Sequence, residues 1–438
     1  MNYKNILIKN GFLANSKTIS KADILISNGK ISDIGSLSNI EADHTIDASG
    51  KYVVSGIIDP QVHFRDPGLT HKEDLNTGSM SAAAGGITTF FEMPNTNPST
   101  ITIEKLNEKY QTANQKSLVN YSFFLGATPD NIDEIKKLEG NCGIKIFMGS
   151  STGDLLVDND IALEEIFKLS NRVIAIHGED EQILKESASL IKGEAFSNHT
   201  KARPVKAAVE ATTKAINLAL KYKKRLHVLH LSTAEEVKII REHKATGLIT
   251  CETTPQHLLM HAPDIYDKIG AFAQMNPPIR GKRHQDELWR GLLDGTIDCI
   301  ATDHAPHTLD EKHLPYGQAP SGMPGVQTSL TLMLNQVSEG KISLKDVIKW
   351  MSENPAKIYR VKNKGAIEIG YDADITIIDM DKEKTILNND MHSKCGWTAF
   401  DGKKTKGWPI ATIVNGNIVY ENENLNLDIR GKKVLFNY

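Results

Sequence analysis

Three histidines, a lysine and an aspartate are the residues whose types and places could do chemistry. The stretch "DPQVHFRDPG" at residues 59–68 holds the first of them, His63, with Gln61 and Arg65 two positions to either side. Side chains at i and i+2 of a strand share a face, so two histidines in this spacing would grip one metal ion; here an amide stands where the first would be. His177 closes "RVIAIH", His230 closes "RLHVLH" and Asp303 closes "IDCIATD", each at the end of an apolar run. One histidine in such a place is more often a hydrogen-bonded structural residue than a ligand. Three with an aspartate form the imidazole and carboxylate set that holds zinc or a neighbouring divalent metal. Lys145 lies inside "GIKIFM", where a buried lysine is costly unless paired or chemically altered, although its long stem could also carry the ammonium to water. His227, three residues before His230, falls on the other strand face and reads as structural. His44, His71, His199, His243, His261, His284, His313 and His392 stand in no such pattern and read as surface or packing residues.

These side chains need elements that bring them together. Eight apolar runs, at 52–58, 87–93, 119–124, 143–148, 172–177, 225–230, 247–253 and 297–303, alternate with helical patterns such as "TAEEVKIIREHKA". That grammar predicts parallel strands covered by helices, an α/β fold best fitted by a (β/α)8 TIM barrel over residues 54–362. A doubly wound open sheet is the alternative, but no GxGxxG opens the first unit. In a barrel the site lies at the C-terminal strand ends, where Gln61, His63, Arg65, Asn95, His177, His230 and Asp303 all fall. Residues 1–53 and 363–438 read instead as short strands with Asn-Gly turns at 10–11, 28–29 and 415–416. Neither end has enough apolar faces to stand alone, so the two are expected to pair into one small β-sandwich.

Composition narrows the function. At 438 residues, 51 basic against 54 acidic side chains give a formal charge of −3, which offers no electrostatic case for nucleic acid or an anionic membrane and leaves a small molecule as the expected partner. Cys142, Cys251, Cys299 and Cys395 are far apart with no CxxC pair, which suggests reduced thiols and a cytoplasmic protein. No apolar run approaches the length of a membrane span, and the N-terminus has no leader-like core.

The order of motifs resembles the dihydroorotases, within the cyclic amidohydrolases that include hydantoinases, dihydropyrimidinases and allantoinases. It extends over nearly the whole chain: "GIIDPQVHFRDPGLTHKEDLNTGSMSAAAGGITTFFEMPNTNP", "GIKIFMGSS", "IHGED", "HVLHLST", "MNPPIRG", "ATDHAPH" and "GYDADITIID". The resemblance implies a binuclear zinc centre in which His63 and Asp303 hold one ion, His177 and His230 the other, and a carbamylated Lys145 spans both. Some relatives use aspartate as the bridge, but "GIKIFMGSS" looks like the lysine kind. It implies reversible cyclisation of N-carbamoyl-L-aspartate to L-dihydroorotate in pyrimidine synthesis, with Asp303 as the acid and base. Arg65 suits a substrate carboxylate, which it could grip with two parallel hydrogen bonds, and by parity it is expected on the strand face of His63. Asn95 and His307 resemble the family's other carboxylate contacts. Asn276 and the loop 317–325, through Ala319 and Gly322, would touch the ring amides, while the stretch 305–325 has the length of a lid or of a plain surface loop.

Two departures stand out. The usual HxH is QxH at Gln61, and Gln256 precedes His257 where relatives often show two histidines. Gln61 could serve as a weak ligand, leave the site with one metal instead of two, or mark an inactive subunit. An allantoinase or hydantoinase would keep the metals without needing Arg65. Family members are often dimers, and a homodimer comes with the resemblance, although no stretch of the sequence specifies one.

Overall fold

The fold was described from a computed structural model covering residues 3–37, 39–151 and 155–438. Eight strands form one parallel sheet in chain order: β1 (Ile57–Val62), β2 (Ile87–Glu92), β3 (Asn120–Gly126), β4 (Gly143–Phe147), β5 (Ile174–His177), β6 (Leu226–Val228), β7 (Ile249–Thr253) and β8 (Cys299–Ile300). The ends of the sheet meet through a parallel bridge between Val62 and His304, where the His63 N–H donates to the His304 carbonyl at 2.8 Å. Asp59 of β1 seals the same seam, accepting from the Thr302 hydroxyl at 2.6 Å and the Thr302 N–H at 3.1 Å. The barrel expectation holds. Helices start where the sequence caps them: Asp74, Thr102, Asn159, Thr233 and Thr254 each accept N–H groups of the first turn with their side chains, satisfying donors that no earlier carbonyl can reach.

The first apolar run is two strands. Tyr52–Ser55 pairs with Ile375–Thr385 outside the barrel, and β1 begins only at Ile57. Gly56 makes the crossing: a Cβ there would lie 2.1 Å from the Thr88 hydroxyl oxygen. The small β-rich part is built from both chain ends, as expected. One sheet holds Asn5–Lys9, Asp23–Ser27, Lys30–Gly35 and His44–Asp47. The other interleaves Phe12–Ala14, Ile19–Lys21 and Tyr52–Ser55 with Ile375–Thr385, Lys404–Val414, Asn417–Glu421 and Asn424–Leu425. Ile6, Ile8, Ile24 and Ile26 pack against Val53, Ile375, Ile377 and Ile413 between them. Asn28-Gly29 and Asn415-Gly416 are hairpin turns, with positive φ at both residues of each pair, as a type I′ turn requires. Asn10-Gly11 is not a hairpin: it is where the chain passes from one sheet to the other. Near the C-terminus, Val434 returns to the barrel and donates its N–H to the Tyr121 carbonyl at 3.0 Å.

Candidate functional site

One cleft at the C-terminal end of the barrel gathers Gln61, His63, Arg65, Asn95, Lys145, His177, His230, Asn276, Asp303 and Gly322. Gln61 comes from β1, Lys145 from β4 and His177 from the last position of β5; His63, Arg65, Asn95, His230 and Asp303 sit just past strand ends, while Asn276 and Gly322 come from the long connections after β7 and β8. Three of them have left-handed backbones: Arg65 at φ 64°, His230 at φ 35° and Asp303 at φ 48°. Non-glycine residues hold such conformations only where the surrounding structure over-determines them, at a cost of about 1–3 kcal/mol each. Arg65 therefore reaches the cleft by a turn after β1 and not by strand parity with His63, which corrects the geometric part of that expectation.

The nitrogens are arranged for a cation. The His63 Nδ1–H donates to Asn95 Oδ1 at 2.8 Å, which leaves the Nε2 lone pair facing Asp303 Oδ1 at 3.0 Å. A proton on the imidazole or a cation held between the two atoms satisfies this pair. Glu179 takes the Nε2–H of His177 at 3.0 Å, so His177 Nδ1 turns its lone pair to His230 Nε2 at 3.1 Å. His230 Nδ1 is buried without a hydrogen-bond partner among the described residues. Burial pushes His63, His177 and His230 below the ordinary imidazole value, and the neutral ring is the form that binds metal. Lys145 is 1% exposed; burial brings its amine down to about 7, against the pull of Asp303 and Glu252. The imidazoles and the carboxylate fit a divalent metal centre, with the Lys145 amine beside them.

Beside it is a cationic wall. Arg65 is 1% exposed, donates Nε–H to the Pro306 carbonyl at 3.3 Å and lies 3.3 Å from His307 Nε2 through Nη2. Its Nη1 is buried without a hydrogen-bond partner among the described residues. Burial lowers the guanidinium only to about 10, so the charge stays at neutral pH.

The amidohydrolase family pattern matches residues 52–419. The chain belongs to the amidohydrolase family. Similar curated proteins include the dihydroorotase of Methanosarcina acetivorans, 39% identical across 96% of this chain and 93% of that one. The dihydroorotase of Pyrococcus abyssi is 36% identical over 97% of each. Among solved structures, the L-hydantoinase (dihydropyrimidinase) of Arthrobacter aurescens superposes with a TM-score of 0.94 at 33% identity, covering 98% of this chain and 99% of that one.

In this amidohydrolase several site neighbours escaped the sequence. Glu179 sits in "IHGED", yet nothing in one sequence says that it holds His177. Burial alone would raise its carboxyl, but Arg203, at 2.5 Å, and the His177 bond together hold it far below the carboxylate range. His199, expected at the surface or in packing, is buried beside the cleft and bonds Asn276 Oδ1 at 2.9 Å. Ser151 and Phe147 also line the cleft. Ala319 does not: its carbonyl accepts from Gln274 Nε2 at 2.9 Å instead. Gly322 does, in a place where a Cβ would meet the Ala305 carbonyl at 2.5 Å. His307 stands behind Arg65, 3.2 Å from the Lys72 amine through Nδ1. The 305–325 stretch is a packed loop: buried Lys312 donates to the Pro320 and Gly322 carbonyls at 2.8 and 3.0 Å, and Trp397 Nε1 donates to the His307 carbonyl at 2.8 Å.

His227 is buried below the cleft with Glu252 and Cys299, their ligand atoms within 4.8 Å of one another. His227 Nε2 bonds Glu252 at 3.0 Å, and burial pushes the Cys299 thiol well above its ordinary value. His227 and Glu252 are thus a buried hydrogen-bonded pair, with the Cys299 thiol turned to the Cys251 carbonyl at 4.0 Å, in keeping with the structural role expected of His227. Gln256 donates to the Thr302 carbonyl at 2.9 Å and steadies the segment that carries Asp303. Among the described residues no helix is long and apolar enough to cross a membrane.

Proposed function

We propose that this amidohydrolase is a zinc-dependent dihydroorotase, closing N-carbamoyl-L-aspartate to L-dihydroorotate and water and reopening it in reverse. The observation that carries this reading is Arg65: a buried guanidinium, one donor of it unpartnered, in the wall of the same cleft as the histidines and Asp303. A ring carboxylate distinguishes dihydroorotate from hydantoins and plain dihydropyrimidines. A planar fork of donors is the group that recognises a carboxylate in two directions at once. The curated dihydroorotases that resemble the chain end to end support the same choice.

His63 and Asp303 on one side, and His177 and His230 on the other, would hold zinc, with Lys145 between them. Zinc bound here supplies hydroxide at neutral pH and polarises the amide carbonyl, since metal binding lowers the pKa of water from 15.7 to about 7. Lys145 can join the ligands once its neutral amine adds CO2 through a new N–C bond and releases one proton, because the carbamate is anionic where an ammonium repels a cation. Burial of the amine favours that neutral form. Asp303 takes a proton from the attacking oxygen and gives it to the leaving amide nitrogen, a shuttle worth about 10²–10⁴-fold; in cyclisation it runs the other way. Arg65, with Asn95 and His307 beside it, fixes the carboxylate so that the scissile amide faces Asp303. Asn276 and Gly322 close the opposite side against the ring amides. We place the enzyme in the cytoplasm, where its four free, buried cysteines would stay reduced.

A substrate panel tests the proposal. Purified, zinc-loaded protein should interconvert carbamoyl aspartate and dihydroorotate and leave hydantoin, dihydrouracil and allantoin nearly untouched. The structural likeness to an L-hydantoinase favours a second reading, a cyclic amidase for uncharged rings. Turnover of hydantoin without dihydroorotate would establish that one instead, and zinc uptake without any turnover would mark an inactive relative.

A further inference from the structure

The two halves of the centre are not built alike. On one side, His177 Nδ1 and His230 Nε2 meet at 3.1 Å, and Glu179, locked by Arg203, fixes the His177 ring. On the other side Gln61, 1% exposed, donates its Nε2–H to Asp303 Oδ1 at 3.0 Å. That is the same oxygen that faces His63 Nε2 at 3.0 Å. An ionised carboxylate dictates which end of the amide it meets, because the reverse orientation would set two oxygens with lone pairs against each other. Gln61 Oε1 is therefore turned away from Asp303, buried and without a hydrogen-bond partner among the described residues. Its nitrogen end is spent on Asp303, and what the amide keeps for an ion is a neutral oxygen, a poorer zinc ligand than an imidazole nitrogen. The residue that fills the first position of the pair thus orients Asp303 and adds little to holding the metal.

We infer, on the metal centre proposed above, that the enzyme binds two zinc ions with unequal strength: one firmly, by the two imidazoles of His177 and His230, and one loosely, by His63 and Asp303, with Lys145 between them and Gln61 acting as a positioning residue for Asp303. Losing even an outer partner of a ligand typically weakens metal binding by about 10–100-fold. With one imidazole where the other side has two, the His63 side should bind zinc at least about 100-fold more weakly.

The full-length, metal-free protein, titrated with zinc against a competing chelator, reads this without reference to turnover. Two phases at least about 100-fold apart are expected; after dialysis against the chelator, one zinc per chain should remain. Gln61→His should bring the phases together and retain two. Gln61→Ala should still retain one, because it restores no ligand. Two zinc ions held equally by the parent would overturn the inference while leaving the metal centre standing, as would a folded Gln61→His variant that retains only one. No zinc on either protein would overturn both. If Gln61→His fails to fold by circular dichroism, the separation of phases in the parent decides alone.

Discussion

In the proposed dihydroorotase, Arg65 is the residue on which substrate choice would turn, and its burial sets the size of the expected effect. A guanidinium that meets a carboxylate away from water loses about 2–5 kcal/mol when truncated, or about 30-fold or more in rate constant at 1.36 kcal/mol per decade. Arg65→Ala should lower kcat/KM for carbamoyl aspartate by that factor, mostly through KM, with zinc content unchanged; an unaltered KM would remove Arg65 from the substrate site. Glu179 acts on the metal side. Glu179→Gln keeps the shape but weakens the acceptor of the His177 Nε2–H, and zinc affinity should fall by about 10–100-fold as measured by chelator competition. Sequence alone pointed to the histidines, Lys145 and Asp303 that the cleft gathers, because polar residues at the ends of apolar runs are conspicuous. It could not reveal Glu179 or His199. Their importance lies in which neighbour each bonds, and a buried histidine looks the same in sequence as an exposed one.

At the scale of elements, the strands that carry the site are shorter than the apolar runs that announced them. The run at 225–230 yields only Leu226–Val228, and that at 297–303 only Cys299–Ile300. Hydrophobic pattern marks burial, and these runs are buried apart from the half-buried Arg225 and Asp298; it is blind to the left-handed turns at His230 and Asp303 that end the ladder and aim the side chains. The seam between β1 and β8 has to hold Asp303 against that strain, and the Asp59–Thr302 pair does so from inside the barrel. Burial raises Asp59 to about 7, and the Thr302 bonds pull it back. Thr302→Val should destabilise the fold by about 1–3 kcal/mol, the cost of leaving a buried polar group short of a partner. The sign of its pH dependence follows. Asp59 titrates higher folded than unfolded, so its contribution to stability is fully present below its unfolded value of 3.8 and is lost as pH rises through about 7. Removing the hydroxyl raises the folded value further, so the loss in Tm should be larger at pH 8 than at pH 5. An equal loss at both would mean that Asp59 does not ionise in this range.

Across the whole molecule, one carboxylate gathers bonds from the chain ends and from the barrel, beside direct links such as Asn415 Nδ2 to Asn120 Oδ1 at 2.7 Å. Asp374, immediately before the strand Ile375–Thr385, accepts from Asn120 Nδ2 at 3.1 Å, from the Asn415 N–H at 2.7 Å and from Lys364 at 2.5 Å. Asn120 opens β3 of the barrel, while Asn415 turns the C-terminal hairpin, so a single buried side chain spans both parts. The pairing of the two ends was legible because neither has apolar faces enough for a core of its own; Asp374 was not, since one aspartate in "GYDADITIID" says nothing of what it will bridge. Asp374→Ala would leave the buried Lys364 amine with Asp372 alone, 3.0 Å away. Breaking a buried pair by removing one partner typically costs about 3–5 kcal/mol. Urea unfolding of the variant, followed by tryptophan fluorescence and by zinc release, should show both midpoints falling together. Asp374→Asn should lose less, because an amide can still accept from Asn415. If zinc release kept the parent midpoint while fluorescence shifted, the small β-rich part would be unfolding on its own, and Asp374 would be serving that part and not the barrel that carries the site.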